Sequence, residues 1–142
     1  MSNKNTVESI YQAFGQGNVP AILEHLAENV EWDYASTSIE VPWLKRREGI
    51  GGAMEFFQAV GSLLEIDKFQ VKEIVEGNRV VIALLDVSFT VRSTGAHVSE
   101  IDEIHVFRFN DEGKITAFRH GVDSYEHIRA FTASADTSGV AA

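Results

Sequence analysis

Cysteine is missing from the chain, which excludes disulfides, thiol nucleophiles and cysteine-held metals, and permits a reducing compartment without proving one. Positive charge is scarce. Twelve Lys and Arg against twenty-one Asp and Glu give a formal charge of -9, which repels phosphate backbones and anionic lipid surfaces, so no nucleic acid is expected as partner. No apolar run approaches the roughly 18 residues of a membrane helix, so no membrane span is expected. The opening "MSNKNTVESI" has no apolar core of a secretory signal, and a cytoplasmic location is the expectation.

What is present reads as one ordinary globular domain: 142 residues, 44% hydrophobic and 23% charged. The small, polar "TASADTSGVAA" at 132–142 has nothing to pack and is expected to be a disordered tail, leaving a single domain over 1–131. Val7, Ile10, Tyr11 and Phe14 recur at helical spacing, and Asn5 with Glu8 resembles a capping box, so a first helix should run to about Gly15. A short second helix follows Asn18 and Pro20 through Leu26, and "VEWDY" reads as a strand. Ile50, Ala53, Met54, Phe57, Val60 and Leu64 mark a third helix.

From Ile66 the period changes to two. "KFQVKEIVEG" and "RVVIALLDVSFTVR" flank a Gly77–Asn78 turn, and "HVSEIDEIHVFRFN" and "KITAFRHGVD" flank Asp111–Glu112–Gly113, which predicts a four-stranded antiparallel meander. A last helix starts near Ser124. Three helices followed by consecutive hairpins indicate an α+β domain with helices packed on a curved antiparallel sheet.

The early "GNVPAILEHLAENVEW", the "REGI" helix start and the late "FRFNDEGKITAFRHGVD" together resemble the NTF2-like superfamily, in particular its ketosteroid-isomerase-like and SnoaL-like polyketide cyclase members. The resemblance spans the chain to about Phe131. It implies an NTF2-like cone in which the sheet wraps around the three N-terminal helices to leave an internal pocket, and a homodimer formed through sheet faces. It specifies fold more than activity, because function in such scaffolds lies in the pocket residues.

Alternation on "SEIDEIHVFRFN" puts Ile101, Glu103, His105, Phe107 and Phe109 on one face, so His105 lies among aromatics. By the resemblance, His105 occupies the place where steroid isomerases hold a protonated aspartic acid. An imidazole there suits a donor or general base at neutral pH, and a buried structural histidine is the alternative. Phe118 and His120 share a face of the last strand; Asp123 points away from His120 unless a bulge at Gly121 restores the parity. Asp123 matches the strand-end carboxylate of SnoaL-like cyclases, and it equally suits a helix cap. The catalytic candidates are therefore His105, Asp123 and His120.

The resemblance supports authentic steroid isomerisation poorly: gap-free counting puts Trp32 at the general-base position, with Asp33 on the opposite face, and Ile10 rather than Tyr11 at the helix-one tyrosine. Tyr11 and Asp33 remain minor candidates. Glu103-x-His105 stands where a limonene-type epoxide hydrolase would need Arg-x-Asp, which argues against epoxide opening.

Tyr11, Trp32, Tyr34, Trp43, Phe57, Phe107 and Phe118 are the candidate ligand-lining residues, with "YASTSIEVPWLKRREGI" as a covering loop; ordinary core packing is the alternative for the aromatics. No dense His/carboxylate cluster is visible among His97, His105, His120 and His127, so neither a metal nor another cofactor is expected. Two functional readings stand: a cofactor-free isomerase or cyclase moving a proton beside the carbonyl of a small hydrophobic compound, and a noncatalytic ligand-binding or dimerisation module.

Overall fold

The computed structural model describes residues 2–38 and 40–133. The expected tail from 134 onward lies outside them, and Thr132 belongs to the last helix. Helix α1 (Asn3–Gly15) is capped by Ser2, whose Oγ accepts from the Asn5 amide at 3.1 Å, so the start falls earlier than the Asn5–Glu8 reading. It closes before Gly17, whose φ of 70° suits a residue without a Cβ. Asn18 caps the short α2 (Val19–Leu23), with Pro20 in its first turn. Strand β1 (Leu26–Trp32) begins earlier than "VEWDY" suggested. A 3-10 turn (Pro42–Leu44), the two-residue β2 (Arg47–Glu48) and α3 (Gly49–Leu63) follow.

The long hairpins form as the alternation demands: β3 (Leu64–Gly77), β4 (Val80–Val91), β5 (His97–Phe109) and β6 (Ile115–Gly121), with α4 (Ser124–Thr132) last. The sheet is larger than the four-stranded meander. It is curved, unclosed and six-stranded in the order β2-β1-β6-β5-β4-β3, with β1 parallel to β6 and the other pairs antiparallel. A parallel partner distant in sequence leaves no local turn signature, so hairpin reasoning cannot reveal it. The α+β architecture stands, with α1, α2 and α3 against the concave side. Among the described residues no helix is long and apolar enough to cross a membrane.

One irregularity positions the site. At the middle of β5 the register jumps from Leu85–Glu103 to Val87–Glu100, and Asp102 adopts a φ of 61°. This bulge adds one residue, so Glu100 and Glu103 both face inward while Ile101 turns out, 77% exposed. Strict alternation had placed Ile101 inward. Gly121, by contrast, pairs regularly with Ile104, so no bulge there restores the parity of Asp123.

Candidate active site

Aromatic and aliphatic side chains from α1, α3 and the concave sheet face enclose a cavity of about 90 Å³. Trp32 stacks on Phe118 with ring centroids 4.3 Å apart, and Phe107 packs on Phe118 at 5.1 Å. Phe14, Phe57 and Phe69, all partly exposed, form an aromatic collar where the lining meets the surface. Into this apolar wall the sheet projects a few ionisable groups, the mixture expected of a ligand pocket.

Tyr11, His105 and Glu103 form a chain. Tyr11 Oη lies 2.7 Å from His105 Nδ1, and His105 Nε2 lies 2.6 Å from Glu103 Oε2. Burial raises the Glu103 carboxyl, but the hydrogen bond from His105 and the charges of His105, His120 and His127 outweigh it, so its pKa falls below the ordinary 4.5. An ionised carboxylate only accepts, so His105 carries hydrogen on Nε2, and in the neutral imidazole Nδ1 accepts from the Tyr11 hydroxyl. Burial first, and the charge of Glu103 second, push Tyr11 well above its ordinary 10.0, so it stays a phenol.

His120 sits across the β5–β6 ladder from His105, ring centroids 6.0 Å apart. Its Nδ1 lies 2.6 Å from Asp33 Oδ1, which also accepts the His120 backbone amide at 3.0 Å. Asp33 follows the end of β1 with φ 55°, a left-handed conformation that Asp tolerates better than most residues. That turn breaks alternation, so Trp32 and Asp33 are both buried, at 3% and 2% exposure. The count that put Asp33 on the far face assumed a strand continuing through it. With Nδ1–H held by a carboxylate, the neutral imidazole keeps its lone pair on Nε2, which no described residue occupies.

Burial lowers the His120 pKa, and the charge and hydrogen bond of Asp33, with smaller contributions from Glu103 and Glu100, more than reverse this, leaving it above 6.5. A pKa raised on folding adds stability that is complete below pH 6.5 and lost as pH rises through the raised value. The urea midpoint is expected to fall across that interval, and His120→Gln to remove that component of the slope. A midpoint that climbs there in the parent protein, with no change in the variant, would contradict the pairing.

A third pair lies deeper. His127 Nε2 is 2.5 Å from Glu100 Oε1, which also accepts the Asp123 amide at 2.9 Å, and Trp43 Nε1–H donates to His127 Nδ1 at 2.9 Å. Glu100, Glu103 and His127 thus gather ligand-type atoms within 4.8 Å of one another, correcting the expectation that no His/carboxylate cluster exists. The cluster is still ill-suited to a metal. If Nε2 ligated, a neutral His127 would carry hydrogen on Nδ1, against the indole N–H of Trp43.

The structure therefore brings Tyr11, Trp32, Trp43, Phe57, Phe107, Phe118, His105 and His120 to one cavity. It leaves out two candidates. Tyr34 lies outside the lining, its hydroxyl 3.4 Å from Arg108 Nε. Asp123 is exposed and caps α4, accepting from the Glu126 amide at 3.3 Å, so on a regular β6 it points away from His120. Asp33 and Glu103 supply the carboxylates instead.

Residues 7–118 match the model of the SnoaL-like domain. The chain belongs to that family. An NTF2-like protein of unknown function from Burkholderia pseudomallei K96243 is 25% identical to this SnoaL-like chain, covering 94% of it and 100% of its own length at a TM-score of 0.78. A provisionally assigned SnoaL-like polyketide cyclase from Mesorhizobium loti is 18% identical over 85% of this chain and 99% of that one, at 0.67. An LEH-like epoxide hydrolase of M. tuberculosis is 14% identical over 99% and 96%, also at 0.67. The last two likenesses are of fold alone, and the fold is the NTF2-like cone. No curated protein matches the chain.

Proposed function

We propose that this SnoaL-like protein is a cofactor-free enzyme that moves a proton beside the carbonyl group of a small hydrophobic compound, in the manner of an isomerase or cyclase. The observation that carries the reading is His120, held by Asp33 through Nδ1 and with no described partner on Nε2, in the lining of the same apolar cavity as the Tyr11–His105–Glu103 chain. His120 takes the proton from carbon, and the imidazolium that forms is held by Asp33. Tyr11 donates to the carbonyl oxygen as charge develops there, its hydroxyl turning from His105 Nδ1 to the ligand. At about 90 Å³ the cavity is smaller than one that holds benzene, so a ring compound enters by rotation of the Phe14, Phe57 and Phe69 collar.

The test is loss of the α-proton NMR signals of cyclohexanone and 1-indanone in deuterated buffer. The protein is expected to accelerate exchange over buffer, and Tyr11→Phe to slow the catalysed part by about 10²- to 10³-fold, the usual cost of losing one donor to a developing oxyanion. Binding of these ketones without exchange would favour the second reading, a noncatalytic ligand-binding module. The narrow cavity and the full occupancy of both His105 nitrogens support that alternative.

The proposal includes a homodimer. Val75, Ile82 and Ile104 are exposed on the outer sheet face, beside Lys72, Asp86 and Asp102, which supply both charge signs for a self-complementary two-fold contact. Light scattering is expected to give twice the chain mass; the monomer mass at micromolar concentration would remove this element.

A further inference from the structure

Among the described residues, His120 is the one shared by the linings of two pockets. One side is the apolar cavity; the other is a separate polar pocket of about 380 Å³ between β6, the start of α4 and the segment after β1. Asp33 lines the polar pocket and not the cavity. Its Oδ1 is taken by the two His120 N–H groups, while Oδ2 is buried with no hydrogen-bond partner. A buried acceptor left unpaired is costly, so the position is built for a donor that the described residues do not supply.

We infer that the polar pocket is a second binding subsite, taking an uncharged, hydroxyl-bearing group that donates to Asp33 Oδ2. The remaining lining fits that chemistry. Thr37 and Ser124 bring hydroxyl groups that can donate or accept, and the charged members beyond Asp33, Glu40 and Arg119, are of opposite sign and favour neither an anion nor a cation. The volume admits a molecule of several heavy atoms, whereas the apolar cavity has little to offer a polyol. A ligand here lies beside the Asp33–His120 pair, since both residues line this pocket, so occupancy is felt by the imidazole without entry into the apolar site. The subsite does not depend on proton transfer in the cavity and stands or falls separately from it.

The test is a two-dimensional NMR titration of the full-length protein with glycerol, a probe too polar for the cavity, with methylammonium and acetate as charged comparators. Saturable shifts are expected at His120 and at the amides of Thr37 and Ser124, with the Trp32 indole signal unmoved. Asp33→Asn keeps the shape and the left-handed backbone, and is expected to weaken glycerol by about tenfold or more, the usual loss for a hydrogen bond to a charged group. Thr37→Trp, an exposed change outside the core, is expected to block the shifts by filling the pocket. Shifts that grow linearly with glycerol, shifts at Trp32 instead, or saturation by methylammonium alone would each overturn the assignment.

Discussion

Asp33→Asn is expected to lower catalysed α-proton exchange by about 10²- to 10⁴-fold, the span that a positioned general base contributes, while the protein stays folded. Asp33 does two things for His120. Its Oδ1 accepts Nδ1–H at 2.6 Å, which leaves the lone pair on Nε2 where the cavity needs a base. Its charge is also the largest influence raising the His120 pKa, so the imidazolium formed by proton abstraction is stabilised in a buried place. Asn carries no charge, so its carbonyl can keep both His120 N–H bonds but no longer stabilises the imidazolium that proton abstraction forms. Asn tolerates the φ of 55° about as well as Asp, so a folding defect is not expected to obscure the result. Retention of full exchange activity in a folded Asp33→Asn protein would rule out the assigned base.

Glu100→Ala carries the largest expected cost in stability, about 2–6 kcal/mol, because it strands two donors, each costing about 1–3 when left unpaired. The His127 Nε2–H and the Asp123 amide both converge on Glu100 Oε1, and His127 in turn receives the Trp43 indole. This chain ties the 3-10 turn and the first turn of α4 to β5. Trp43 and His127 are each 2% exposed, so water cannot replace the lost acceptor without opening the packing around Phe89 and Phe131. Such a loss is a large share of the 5–15 kcal/mol that holds a typical domain. Urea unfolding of Glu100→Ala beside Glu100→Gln, whose carbonyl can still accept, gives the measurement. A loss under 1 kcal/mol in the alanine variant would mean that the chain contributes little to stability.

Most of the scaffold was legible because it rests on period. The helical spacing from Val7 to Phe14 and from Ile50 to Leu64 identifies α1 and α3, and alternation identifies β3 to β6. The resemblance to the NTF2-like fold holds over the whole described body. His105 and His120 were found on inward faces for the right physical reason, alternation along regular stretches of β5 and β6.

Alternation put Asp33 and Glu100 on the wrong face because two residues break the period. Asp102, at positive φ, adds the residue that turns Glu100 inward beside Glu103; Asp33, also at positive φ, turns a strand end back toward the sheet. Aspartate at both positions was the available signal, since it accepts the left-handed region more readily than most residues, but many aspartates lie elsewhere. Tyr11 was discounted by a one-residue count along the helix. The structure shows both Ile10 and Tyr11 reaching the cavity, because neighbouring helical positions can border a pocket wrapped by the sheet. His127 carried no readable sign of its partner Glu100, which is 27 residues away and joined only by tertiary packing.

The most direct test of the central claim is the ¹⁵N NMR spectrum of the His120 ring across a pH titration. The expected result is a midpoint above 6.5 and, on the basic side, hydrogen on Nδ1 with Nε2 bare. A midpoint at or below 6.5, or a neutral ring carrying its hydrogen on Nε2, would show that Asp33 does not prepare His120 as a base and would contradict the proposed chemistry.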